Sequence, residues 1–132
     1  MNYRLLGYLT LALAIIVTAP YWLRTLNSWT FKTKDKRFLN LLKFLRKIHK
    51  PLGVLLAAIA LWHGITALGT LRLHTGTLAF GGFVLTAVWG VLHWQKKNKH
   101  IFKGHKALAL LSTALVVLHL VWPGALRSLF GV

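Results

Sequence analysis

The chain has no cysteine and, in 132 residues, one carboxylate side chain, Asp35. Without thiols it has no disulfides, no thiolate metal sites, no cysteine-held iron–sulfur clusters and no haem attached through cysteine. The apolar runs contain no carboxylate, so they lack the oxygen ligands that hard cations recruit. Polar material is scarce too: 56% of residues are hydrophobic and the mean hydropathy is +0.59. A soluble domain of this length needs a polar surface that this composition does not supply. The charge present is nearly all positive and confined to short blocks between long uncharged runs.

Those runs are Leu5 to Leu23, Pro51 to Leu71, Thr75 to Trp94 and Ala107 to Leu126. Each is close to the roughly 20 residues that carry an α-helix across about 30 Å of hydrocarbon. Alternating ten-residue barrel strands are absent, which leaves helices as the spanning structure. The expected fold is all-α, a single four-helix transmembrane bundle over residues 1–132 with helices at about 4–24, 50–71, 75–95 and 104–126. The first run is longer than a signal-peptide core and lacks a small-residue cleavage site, so it reads as a retained helix, with a signal anchor as the alternative. Between helices 1 and 2, the stretch RFLNLLKFLRKI sets Phe38, Leu41, Leu42, Leu45 and Ile48 on one helical stripe, away from Arg37, Lys43 and Lys47. This predicts a short amphipathic interfacial helix before helix 2.

Fourteen of the 17 Lys and Arg residues fall in two loops. Arg24, Lys32, Lys34, Lys36, Arg37, Lys43, Arg46, Lys47 and Lys50 lie between helices 1 and 2; Lys96, Lys97, Lys99, Lys103 and Lys106 lie between helices 3 and 4. The opposite face holds Arg4, Arg72 and Arg127. The asymmetry predicts an integral protein of a bacterial or archaeal cytoplasmic membrane, with basic loops in the cytoplasm and both termini outside. These charges set topology and meet anionic lipid, so no nucleic-acid partner is expected. Trp22, Trp29, Trp89, Trp94 and Trp122 mark membrane boundaries, whereas Trp62 sits deep beside His63.

Histidine carries the chemistry. Helix 2 holds His49 and His63, and helix 4 holds His105 and His119, each pair 14 positions apart. That interval is about 40° short of four turns, so each pair shares a face and is separated by about 21 Å of helix. Helices 2 and 4 run parallel, being separated by one returning span. His49 and His105 therefore fall at one depth near the cytoplasmic surface, and His63 and His119 at a second depth in the outer half. The contexts repeat as well: HKPLGVLLAAIALWHG and HKALALLSTALVVLHL align from first to last histidine without a gap. A b-type haem takes two axial imidazoles from opposite sides of a flat apolar ring, and two such levels match two b-type haems held non-covalently. Structural zinc would gather four ligands at one point instead.

Lys50 and Lys106 follow the inner histidines and are candidates for haem propionates, beside their topological role. Gly53, Gly64, Gly76, Gly81, Gly82 and Gly90 would admit either a macrocycle or a closely packed helix. His93, near the depth of His49, is the substitute ligand should the inner pairing be wrong. His74 is a candidate for an outer-face acceptor or propionate, and His100 reads as solvated loop.

At these residues the chain resembles the membrane cytochromes b. It is most similar to the ferric-reductase-like transmembrane domain shared by ferric reductases, NADPH oxidases and the haem subunit of bacterial methionine sulfoxide reductase systems. IHKPLGVLLAAIALWHG fits that group's helix pattern well and GHKALALLSTALVVLHL moderately, over roughly residues 45 to 122. The resemblance implies that His49 and His105 ligate an inner haem and His63 and His119 an outer one. The larger members have six spans and a nucleotide- or flavin-binding domain; here there are four spans, no flavin site and no GxGxxG in a strand–turn–helix setting. An oxidoreductase electron-transfer subunit of this kind would draw on a separate cytoplasmic flavoprotein reductase or a membrane quinol. Its partners are then the lipid bilayer, that donor and, as a candidate, further copies of itself. Two other classes remain open: a transporter or channel using intramembrane histidines for protons or metal ions, and an assembly subunit whose histidines only join helices.

Overall fold

The computed structural model describes residues 2–69 and 74–131. These form α1 (Tyr3–Leu26), a π-helical turn (Asn27–Phe31), α2 (Lys36–Leu68), α3 (Thr75–Lys96), α4 (Lys99–Val121) and α5 (Ala125–Phe130), with no strand among them. The fold is all-α, and four of its helices are long and apolar enough to cross a membrane. Large apolar side chains such as Val54, Leu110, Val117 and Val121 lie exposed along them. That is the surface a lipid solvent requires and water would penalise.

Three boundaries differ from those the sequence suggests. The amphipathic stretch is helical but continuous with α2, which starts at Lys36 rather than near residue 50. Pro51 deletes only the donor for the Lys47 carbonyl, and the Leu, Lys and Arg residues before it are good helix formers. Leu42 is buried, and Phe38, Leu45 and Ile48 are half-buried, while Leu41, on the same arc, is 46% exposed. Helix 4 begins at Lys99, because the Asn98 side chain accepts the His100 backbone N–H and caps it. His100 is accordingly an exposed residue of the first turn and not loop. The same helix stops at Val121 rather than 126, since a proline at 123 biases Trp122 out of the α region (φ −141°, ψ 75°). The expected end of helix 2 at residue 71 lies outside the described residues.

The chain divides into two compact units, Met1–Ile59 and Ala60–Val132. In the first, the only carboxylate of the chain starts a helix: Asp35 Oδ1 accepts the Arg37 N–H at 3.1 Å. Asn27 organises the connection from α1, accepting from Thr33 N at 2.9 Å and donating to Thr33 O at 3.1 Å. Between them Lys32 adopts a left-handed conformation, φ 45°.

In the second unit α3 and α4 form an antiparallel hairpin closed by Lys97 and Asn98. Its seam is built from small and polar residues. A Cβ at Gly82 would lie 2.7 Å from Ser112 Oγ, so only glycine lets the backbones approach this far. Ala79, Thr75 and Ser112 are buried along the same seam. The Thr86 and Ser112 hydroxyls are 3.1 Å apart, and each reaches a carbonyl one turn back, Gly82 O and Leu108 O, at 2.8 Å. Among the described residues no buried side-chain nitrogen or oxygen lacks a partner. That satisfaction is what a low-dielectric interior demands.

Candidate functional site

The four histidines singled out by spacing are all half-buried within helices. In the first unit, His49 Nδ1 lies 2.8 Å from the Val17 carbonyl of α1. A carbonyl can only accept, so the proton sits on Nδ1 and the lone pair on Nε2. Val17 neighbours Ile16, whose carbonyl has no helical donor because Pro20 lies inside α1. His49 thus takes its tautomer from a backbone carbonyl of α1 at buried Val17.

In the second unit α4 meets α3 in a register that treats its two histidines alike. His105 packs against Gly90 and His119 against Gly76: a Cβ at either glycine would lie 3.1 Å from the imidazole Cε1. Gly76 and Gly90 are themselves 14 positions apart, the interval of the histidines they receive. Midway, Ser112 seats on Gly82. The His105 Nδ1 is 2.9 Å from the Thr86 carbonyl, which again places its proton on Nδ1. The His119 Nδ1 is 3.0 Å from the Thr75 hydroxyl, which is 2.7 Å from the Pro123 carbonyl.

His63 and His119 face one another, with ring centroids 6.5 Å apart and planes at 66°. That separation keeps the rings out of direct stacking contact and leaves a gap between them. Of the histidines expected to share a depth, His63 and His119 are neighbours. His49 and His105 lie in different units, His49 against α1 and His105 against α3.

The remaining histidines have local duties. His74 caps α3, its Nδ1 accepting the Gly76 N–H at 3.2 Å, and its ring stands 5.5 Å from that of His119 at 79°. His93, the substitute ligand, turns its Nδ1 to the Asn98 carbonyl at 3.2 Å and stacks on Phe102 at 4.8 Å, bracing the α3–α4 turn. Lys50 is exposed beside His49. Lys106, also exposed, holds its Nζ 5.1 Å over the Phe102 ring.

The glycines sort into two sets. A Cβ at Gly53, Gly64 or Gly81 would meet no described atom within 4 Å, whereas Gly76, Gly82 and Gly90 hold α4 side chains. The second set is helix packing. In the first set, Gly53 and Gly64 lie on α2 one turn after His49 and directly after His63.

Among the described residues no three or more His, Cys, Asp or Glu side chains are arranged to hold a metal ion by themselves. A bis-histidine haem asks for only two protein nitrogens, and His63 and His119 bring two imidazoles together between apolar helices. The residues fit that group. Thr75, Thr86 and the Val17 carbonyl have no mark in the sequence as functional residues; the Gly76–Gly90 interval, equal to that of the histidines, is the signal that points to the α3–α4 register. Compared with known proteins, the chain matches no family, no curated protein and no solved structure.

Proposed function

We propose that the chain is a four-helix membrane cytochrome of the di-haem b type, resembling the ferric-reductase-like transmembrane domain, that carries single electrons across the bilayer. The observation that carries this reading is the His63–His119 pair at 6.5 Å, with the Nδ1 of His119 tied back to Thr75. When bound, a haem held by two imidazoles would supply a one-electron iron couple. His63 and His119 would hold the outer haem, and His49 with His105 the inner one. Carbonyl acceptors at Val17 and Thr86 put the proton of His49 and His105 on Nδ1, the tautomer in which Nε2 would be the ligating nitrogen. Gly53 and Gly64 give a ring access to the backbone, and Lys50 and Lys106 supply cations for propionates at the cytoplasmic end. In this reading the basic loops are cytoplasmic, the donor is a flavoprotein reductase or a quinol, and the acceptor lies at the outer face.

The test is a reduced-minus-oxidised absorbance spectrum of the purified protein with haem quantified per chain. Two haems with the sharp α-band of low-spin bis-imidazole iron are expected. A haem-free protein that carries metal ions or protons across vesicles would overturn the reading in favour of a transporter.

A further inference from the structure

Resting on that reading, we propose that Thr75 is a positioning residue for the outer haem ligand His119, setting its tautomer and its donor strength through a two-step hydrogen-bond chain to Pro123.

Thr75 is fully buried at the start of α3, and its hydroxyl has one proton for two neighbours, the Pro123 carbonyl at 2.7 Å and His119 Nδ1 at 3.0 Å. The carbonyl can only accept, so the hydroxyl proton goes to Pro123. The Thr75 oxygen must then accept, and the proton it accepts is that of His119 Nδ1–H. The lone pair of His119 is left on Nε2. Had Thr75 no second partner, its hydroxyl could donate to Nδ1 instead and leave Nε2 protonated and unable to ligate. Pro123 is in place because α4 ends at Val121 and turns there into α5. Gly76, the next residue, holds the ring from the side, with Cε1 3.1 Å from where a Cβ would stand.

This arrangement differs from that of the two inner histidines. His49 and His105 donate straight to backbone carbonyls, which no side-chain substitution removes. For His119 the tautomer depends on one hydroxyl. Hydrogen bonds to the far nitrogen of a ligating imidazole raise its basicity, and removing them costs about 10–100-fold in metal affinity.

The test compares wild type, Thr75→Val and Thr75→Ser in detergent, reading haem transfer to apomyoglobin, the two midpoint potentials and the low-spin electron paramagnetic resonance signals. Thr75→Val keeps the shape but leaves His119 Nδ1 without its acceptor. One haem should leave about 10–100-fold faster, its potential should rise, and its resonance should shift. The other haem should be unchanged, and Thr75→Ser should restore wild-type values. A Thr75→Val protein matching wild type in all three measurements overturns the role of Thr75 while the di-haem reading stands; failure of Thr75→Ser to restore does the same, by assigning the effect to packing. If Thr75→Val loses both haems, Thr75→Ala decides: loss of one haem supports the proposal and loss of both rejects it. A wild-type protein without haem removes the di-haem reading and this inference together.

Discussion

Histidine in lipid is costly unless its two nitrogens have employment, and here the employment of one nitrogen is visible for three of the four candidate ligands. His49, His105 and His119 each commit Nδ1 to an oxygen, in each case one contributed by another helix. That common arrangement leads to a pairing prediction. His63→Ala and His119→Ala should each remove the same haem, and His49→Ala and His105→Ala the other, judged by potentiometric titration of the remaining absorbance. Loss of one common haem from all four variants would reject the two-level arrangement. A separate residue-scale prediction concerns the lone carboxylate. Asp35→Ala should loosen the first turn of α2, costing about 1 kcal/mol locally, while Asp35→Asn should not. Amide exchange at Arg37 and Leu39 would report it. The histidines are legible in sequence because a polar residue in an apolar run is conspicuous. Thr75 is not, since threonine is an ordinary member of such runs and its meaning comes from a carbonyl 48 positions away.

Helices are where composition and packing diverge. The apolar runs mark the spans, but the ends follow local chemistry: an Asn98 cap, a Pro123 stop, and a Pro51 that a long helix tolerates. The glycines show the limit of reading elements singly. Sequence leaves all of them open between ring access and helix packing. The α3–α4 register sends Gly76, Gly82 and Gly90 to packing, because each meets an α4 side chain, and leaves Gly53, Gly64 and Gly81 uncrowded. Gly82→Ala should therefore weaken the hairpin by about 1–3 kcal/mol through overpacking. Adding Ser112→Ala should return part of that loss, since Ser112 Oγ is the nearest obstacle at 2.7 Å. A double-mutant cycle in a detergent unfolding assay measures the coupling, and strict additivity would contradict the contact.

For the whole molecule, the absence of cysteine becomes a tool. Single cysteines at Lys34 or Lys97, in the basic loops, should react with impermeant maleimide only from the cytoplasmic side. Cysteines at Asn2 or Ser128 should react only from the outside. The reverse pattern would overturn the orientation drawn from the positive-inside asymmetry. Sequence alone determined the all-α class, the four membrane-length helices and the candidate histidines. Each of those follows from composition and from the 3.6-residue period, which act along the chain. Only the tertiary structure decided that His63 and His119 face one another, which glycines receive imidazoles, and that Thr75 stands between His119 and Pro123. These depend on the register of α4 against its neighbours. That register is set by small residues whose effect is felt only when a second helix is brought against them.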